Sequence, residues 1–392
     1  MIPLMKNAFY KEKETKDALS KFIMETPRLS MDQKCFEFEK KFAEFQQRKH
    51  AILFNSGGSA NLALFQSLKN LNLLKNGDNV GFSSLTWSTN VMPIIQMGFK
   101  PVPVDCELDT LNISSNKLTQ TLDSVELKAL FITNALGFTG DLEEIREICE
   151  DKGILLVEDN CESLGSELPA GKSGNFGLAS TFSFYVAHHM STIEGGMVCT
   201  DDSELSQMLK IVRANGWDRN LNPDQQSQIR KKHHIDNEFD AKYTFYYLGY
   251  NLRPIEITGL LGVFQLQFIE EIIAVRENNY KLLEEEAKRN PDLISVNYSH
   301  MTKLSNFAYP VICKSPNLKS KYIAKFINAG VEVRPIIAGN IQRQPFYSKY
   351  VKEIYDLPGA EFIHNCGFYF GNYPELTNED FEILKDCLRY QA

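Results

Sequence analysis

The sequence predicts an α/β fold with a mostly parallel central sheet and a smaller α+β unit at the C-terminus. Three observations carry the prediction. From His50 to about Asp202, short apolar, β-branched runs alternate with amphipathic stretches, the pattern of a sheet with helices on its faces. Beyond residue 300 the pattern changes to one strand, one helix and one strand. The length of 392 residues exceeds a single ordinary domain, at roughly 100–200 residues each. We place the large domain at 1–255 and the small one at 256–392.

Taken in order, the predicted strands are AILFN (51–55), NVGFSS (79–84), PVPVD (101–105), ALFITN (129–134), ILLVED (154–159), TFSFY (181–185) and GMVCT (196–200). Helical spacing runs from Asn61 to Leu71, behind a cluster of small residues, and from Leu142 to Lys152, where Gly140 and Asp141 supply a plausible cap. Residues 218–240 are polar and poorly periodic, and are expected to form a long loop. After Pro254 one long helix is expected to about Asn290, with Ile257, Leu260, Leu261, Phe264 and Phe268 on a single stripe. FAYPVIC (307–313), KSKYIAKFINAG (319–330) and VEVRPII (331–337) complete the small unit.

Composition excludes several function classes. The net charge of −8 argues against nucleic acid, whose phosphates demand a basic face. The segment MIPLMKNAFYKEKETK meets charge too early for a signal peptide, and no apolar run reaches the roughly 18 residues that cross a bilayer. A cytoplasmic protein without membrane contact is the expectation. The eight cysteines are never closer than twelve residues, so no metal-ligand or redox spacing is present.

Three motifs carry chemistry. Asn55-Ser56-Gly57-Gly58-Ser59-Ala60-Asn61 lies between a strand and a helix, where small residues let backbone N–H groups approach an anion at a helix N-terminus. The same residues also suit an ordinary tight turn, and they match neither the P-loop nor the G-x-G-x-x-G spacing. Val157-Glu158-Asp159-Asn160-Cys161-Glu162-Ser163 puts carboxylates at the carboxyl end of an apolar strand, the ligand-binding end of a parallel sheet, although a capping Asp would look alike. Third, Ser183-Phe184-Tyr185-Val186-Ala187-His188-His189 leaves a strand for a polar loop that ends in Glu194-Gly195-Gly196, an unusual place for a merely structural histidine.

In this order and at these distances, the three motifs resemble the sugar aminotransferase family of fold type I pyridoxal-phosphate (PLP) enzymes, the aspartate aminotransferase-like fold, whose members act on nucleotide-linked 4-keto sugars. The resemblance covers essentially the whole chain. It implies that Gly57 and Gly58 hold the cofactor phosphate and that Trp87, in Ser84-Leu85-Thr86-Trp87-Ser88-Thr89-Asn90, stacks on the ring. It also implies that Asp159 pairs with the pyridinium nitrogen, where a carboxylate keeps the ring cationic and a better electron sink, and that Glu162, Ser183 and Asn251 complete the cofactor site.

One departure from the family pattern is informative. A lysine is expected five residues after Ser183, and that position is His188; no lysine occurs from 173 to 209. Histidine cannot anchor the cofactor covalently, so pyridoxamine phosphate (PMP) would bind noncovalently. With an ordinary pKa near 6.5 it still serves as a general base. This swap resembles the 3-dehydratase branch, most nearly the part acting on GDP-linked 4-keto-6-deoxymannose in the formation of 3,6-dideoxysugars such as colitose of O-antigen, with L-glutamate recharging the cofactor. A related branch carries an iron–sulfur cluster on clustered cysteines; here none lies between Cys199 and Cys313, so no cluster is expected. Gly249-Tyr250-Asn251-Leu252-Arg253-Pro254 resembles the segment delivered from the second subunit of a homodimer, and Arg219, Arg253, Glu332 and Arg334 fall in stretches like those facing substrate. An aminotransferase on another 4-keto sugar and a catalytically silent, ligand-sensing relative are the alternatives.

Overall fold

A computed structural model describes residues 1–390. Seven strands form the large sheet in the order His50–Phe54, Gly196–Thr200, Ala179–Ser183, Leu155–Asp159, Ala129–Thr133, Asn79–Ser83, Lys100–Val104. Every pairing is parallel except those of Gly196–Thr200, which runs antiparallel to both neighbours. Side chains alternate across this sheet. In Ala129–Thr133, Ala129 and Phe131 pack with Ala60, Leu64 and Leu68 of the helix Gly57–Asn70, whereas Leu130 and Ile132 pack with Leu142 and Ile145 of the helix Leu142–Lys152. With both faces covered, all five residues of the strand are buried, which is why these strands read as continuous apolar runs.

The smaller sheet, ordered Leu293–Ile294, Ala308–Cys313, Gly367–Gly371, Val333–Pro335, is antiparallel. Its core of Tyr309, Val311, Phe326, Phe368 and Phe370 continues into Leu85, Leu136 and Phe138 of the large sheet's loops, so the two units share one apolar seam beside the carboxyl ends of the parallel strands.

Three expectations need correction. The stretch 218–240 is built of the turn Asp218–Asn220 and the helices Pro223–Lys232 and Glu238–Ala241. Asn222 caps the longer helix reciprocally with Gln225, and Asp218 accepts from Arg230 Nε at 2.8 Å; caps and one ion pair replace the apolar period that the sequence lacked. The single helix after Pro254 is two, Glu256–Leu266 and Ile269–Ala287, bent by 61°. Its stripe is only partly covered: Leu261 is buried, but Ile257, Leu260, Phe264 and Phe268 are half-buried. What Glu256–Leu266 buries instead is Gly259 and Gly262, where the helix Gln33–Gln46 lies so close that a Cβ would meet Cys35 N at 2.4 Å and Phe38 Cδ1 at 2.4 Å. Finally, VEVRPII shortens to the three-residue strand Val333–Pro335.

No single helix among the described residues is long and apolar enough to cross a membrane.

Candidate active site

Four parallel strands end at one edge and deliver Asn55-Ser56-Gly57, Thr133, Asp159 and Ser183 to a common place, while the reversed strand begins there with Gly196. They enclose a cavity of ≈ 510 Å³, the size of a cofactor site. Gly57, Gly58, Trp87, Asp159, Glu162, Ser183 and His188 all line it.

Ser56 caps the helix Gly57–Asn70, its Oγ accepting from Ser59 N at 3.1 Å, so this helix points its first turn into the cavity. The first N–H groups of a helix have no acceptor within it, and the dipole adds positive character. Glycine is required here by crowding: a Cβ on Gly57 would stand 2.6 Å from Ser183 Cβ, and one on Gly196 would stand 2.2 Å from Ser56 O. Opposite, Asp159 is clamped. Its Oδ2 accepts from Asn61 Nδ2 at 3.0 Å and Asn90 Nδ2 at 2.7 Å, and its Oδ1 from Cys161 N at 2.9 Å. Donors alone surround this carboxylate, an arrangement that fits the ionised form.

The neighbouring carboxylates divide: Glu158 and Asp159 alternate across the strand, and Glu162 follows in the turn beyond it. Glu158 points away, fully buried, and binds the turn after the Glu167–Lys172 hairpin through Gly174 N (2.8 Å), Phe176 N (2.9 Å) and Gly177 N (3.1 Å); burial raises its pKa while these bonds oppose the rise. Glu162 faces the cavity. Burial pushes its pKa up to about 7, against the bond it accepts from Leu136 N at 2.8 Å and with a further push from Asp159.

The histidine pair, in the loop beyond the strand Ala179–Ser183, also separates. His188 lines the cavity between Tyr185 and Phe307, with its ring 5.3 Å from that of Phe307. Its pKa is pulled down to about 4 by burial first and by the Arg276 charge second, the backbone of Cys161 opposing, so the ring is neutral at physiological pH. His189 turns its back on the cavity, buried, with Nε2 3.1 Å from Ser305 O. Two β-branched residues with left-handed backbone flank the site, Ile193 in the His188 loop (φ 71°) and Ile337 in the wall (φ 46°). Such strain gathers at sites that over-determine their backbone.

Residues 10–389 match the DegT/DnrJ/EryC1/StrS aminotransferase family. The chain belongs to this family. It is 33% identical over 373 residues to GDP-4-keto-6-deoxy-D-mannose 3-dehydratase of Yersinia pseudotuberculosis, covering 94% of this chain and 93% of that one. The structure of E. coli GDP-4-keto-6-deoxy-D-mannose-3-dehydratase with bound hydrated PLP matches with a TM-score of 0.91 at 29% identity, covering 99% of both chains. A structure of GDP-4-keto-6-deoxymannose-3-dehydratase with a trapped PLP-glutamate geminal diamine matches equally, with a TM-score of 0.91 at 29% identity over 99% of this chain and 100% of that one. The fold is therefore that of the type I PLP enzymes.

Five positions singled out from sequence do not line the cavity. Asn251 accepts from Arg253 Nε at 3.0 Å, and both sit outside it. Arg334 donates to Glu332, which also accepts from Leu4 N at 3.0 Å. Arg219 lies over the Trp217 ring, 5.3 Å from its centroid. Conversely, Asn61 and Asn90 were overlooked. Asn90 falls one helical turn beyond Trp87, a spacing that could have drawn attention to it; Phe307, Ile337 and Tyr369, which line the C-terminal wall, carry no such signal.

Proposed function

We propose that this chain is a PLP/PMP-dependent 3-dehydratase that removes the C3 hydroxyl of a nucleotide-linked 4-keto-6-deoxyhexose, GDP-4-keto-6-deoxymannose, with L-glutamate recharging the cofactor, in the formation of a 3,6-dideoxysugar. The observation that carries this reading is His188, a neutral imidazole in the cavity wall at the position where the amino-transferring members resembled by the sequence carry lysine.

The residues present fit the cofactor. Gly57, Gly58 and the Ser56-capped helix terminus suit its phosphate, since a Cβ at 57 would collide with Ser183 and push the helix terminus away from the cavity. Asp159, held by three donors, suits the ring nitrogen; Trp87, 57% exposed at the mouth, suits a ring face, and Ser183 and Glu162 close the sides. When bound, the cofactor supplies an electron sink that makes the carbon bearing its amine acidic and lets a neighbouring hydroxyl leave. Asp159 keeps a proton on the ring nitrogen. His188 takes a proton from the amine-bearing carbon and, once protonated, can hand it to the departing hydroxyl, so acid and base are one group. Without an ε-amine at 188, no side chain at this position competes for the cofactor's carbonyl.

The protein works as a cytoplasmic homodimer in this reading. Asn251, Arg253 and the exposed Tyr243, Phe245, Leu248 and Ile255 lie outside their own chain's cavity, which supports their delivery to the cavity of a second copy. Arg219, Arg253, Glu332 and Arg334 are the polar groups offered to the nucleotide-linked sugar, arginine being suited to a diphosphate. The test is incubation with PMP, L-glutamate and GDP-4-keto-6-deoxymannose, followed by mass spectrometry. Loss of water from the sugar and no borohydride-trapped cofactor on any lysine are expected; a 4-amino sugar product with a lysine-linked pyridoxyl group overturns the reading.

A further inference from the structure

Behind the active cavity lies a second, far smaller one, and His188 is the residue that lines both. This chamber measures ≈ 20 Å³, enough for one water, which needs about 10–15 Å³ and two to four polar partners. Its wall includes His189 and Arg276, with Tyr10, Tyr373 and Glu375 on the far side. Three buried polar atoms among its lining residues have no hydrogen-bond partner: His188 Nδ1, His189 Nδ1 and Arg276 Nε. Polar atoms buried this deeply are normally paired, with protein or with ordered water.

The protonation pattern can be read from the partners. His189 Nε2 stands 3.1 Å from Ser305 O; a carbonyl only accepts, so Nε2 carries the hydrogen and Nδ1 of the neutral ring is an acceptor. Arg276 is 3% exposed and spends its Nη1 on the carbonyls of Phe307 (2.9 Å) and Asn372. No carboxylate forms an ion pair with it among the described residues, so a permanent charge faces both imidazoles.

We propose that the chamber holds one water bonded to Nδ1 of His188, and that His189 and Arg276 are positioning residues which, through this water and the fixed guanidinium charge, set the tautomer of His188 and keep it neutral. This rests on the reading of His188 as the base. A second proton on either imidazole would put like charges in one buried space. Of the groups able to offset them, Glu375 acts on Arg276 through space but forms no ion pair with it among the described residues. On the chamber side, Tyr10 has its pKa raised to about 12 and donates to Glu271, Tyr373 is also raised, and Glu375 is the remaining carboxylate. On the cavity side, Asp159 accepts from three donors, Glu162 and Cys161 are raised, and Tyr185, Glu194 and Tyr369 complete the wall.

The experiment is an NMR titration of the full-length protein labelled with ¹³C-histidine, the His188 signal assigned with His188→Asn. In the parent, His188 should stay neutral down to pH 5. Arg276→Met should raise its midpoint by about one unit or more, and Arg276→Lys should restore it. The acid limb of kcat/KM should move with the midpoint. A parent His188 midpoint at or above 6, a folded Arg276→Met with an unmoved midpoint, or a high-resolution crystal structure of the parent without a water on Nδ1 overturns the proposal, and the third needs no variant to fold. If His188→Asn turns over normally while the titrations behave as expected, the assignment of the base fails and the chamber stands; a dead His188→Asn with an unmoved titration is the reverse.

Discussion

Replacing Asp159 by asparagine removes one charge while keeping the shape, and the local geometry sets the cost. One carboxylate oxygen accepts from two amides, Asn61 and Asn90, and the other from the Cys161 N–H. An amide has one acceptor and one donor end. Its better orientation keeps the carbonyl on the two asparagines and turns the NH₂ toward Cys161 N, so one charge-assisted hydrogen bond is lost and a donor faces a donor. Bonds to charged groups contribute roughly 1.5–3 kcal/mol, and that is the expected drop in stability of the cofactor-free protein. If Asp159 meets the cofactor's ring nitrogen as proposed, the same loss of charge removes its ionic partner, and another 1.5–3 kcal/mol or so there weakens PMP binding by roughly ten- to hundred-fold. Urea denaturation without cofactor reads the first effect and an absorbance titration with PMP the second. Unchanged stability in Asp159→Asn would refute the clamp. Lower stability with unchanged PMP affinity would leave the clamp intact and show that Asp159 does not meet the ring.

Two further outcomes follow from the site. His188→Lys should lose dehydration by about 10²–10⁴, the usual contribution of a general base, and should hold the cofactor in a borohydride-trappable bond; dehydration at the parental rate would move the base to another residue. Glu162, raised to about 7 by burial, holds a proton in the folded protein that the unfolded chain has already released above its ordinary value of 4.5. Its contribution to stability is therefore full below pH 4.5 and is lost as pH rises through 7. The cofactor-free parent should lose stability over that range relative to Glu162→Gln, and parallel denaturation midpoints for the two would contradict the shift.

The large sheet was legible because its strands are buried on both faces, so Ala129–Thr133 and its neighbours announce themselves as unbroken apolar runs. Legible too was the gathering of Gly57, Asp159 and His188 at the sheet edge, since Gly57 opens the helix after His50–Phe54, Asp159 ends its own strand and His188 stands five residues beyond Ser183. What stayed hidden had no local period. The helix Pro223–Lys232 is held by its caps and by the Arg230–Asp218 pair, which a search for apolar spacing passes over. The bend between Leu266 and Ile269 falls in a largely apolar stretch with neither proline nor glycine at the break. Likewise, Asn61 was noticed only as part of a small-residue turn, because its amide meets Asp159 across 98 residues. Glu158 and Asp159 are adjacent in sequence yet serve opposite faces, a division that needs the register of the strand and not merely its presence.

The reversed strand Gly196–Thr200 has a consequence for how this scaffold can change. Because it runs back alongside Ala179–Ser183, the segment from Phe184 to Gly195 leaves the sheet and re-enters it at the same edge, sealed at its base by Phe184 N to Gly195 O and Thr192 N to Phe184 O, both 2.9 Å. His188, the proposed base, thus sits on a closed hairpin tip, with no helix to carry and no crossover to maintain. The tip is anchored as well as closed, since Phe184 and Met190 pack in the core with Phe38 and Phe42 and His189 meets Ser305 O, so any exchange of the segment has to keep these anchors. The positions left free to vary at this edge are those between the anchors, His188 among them.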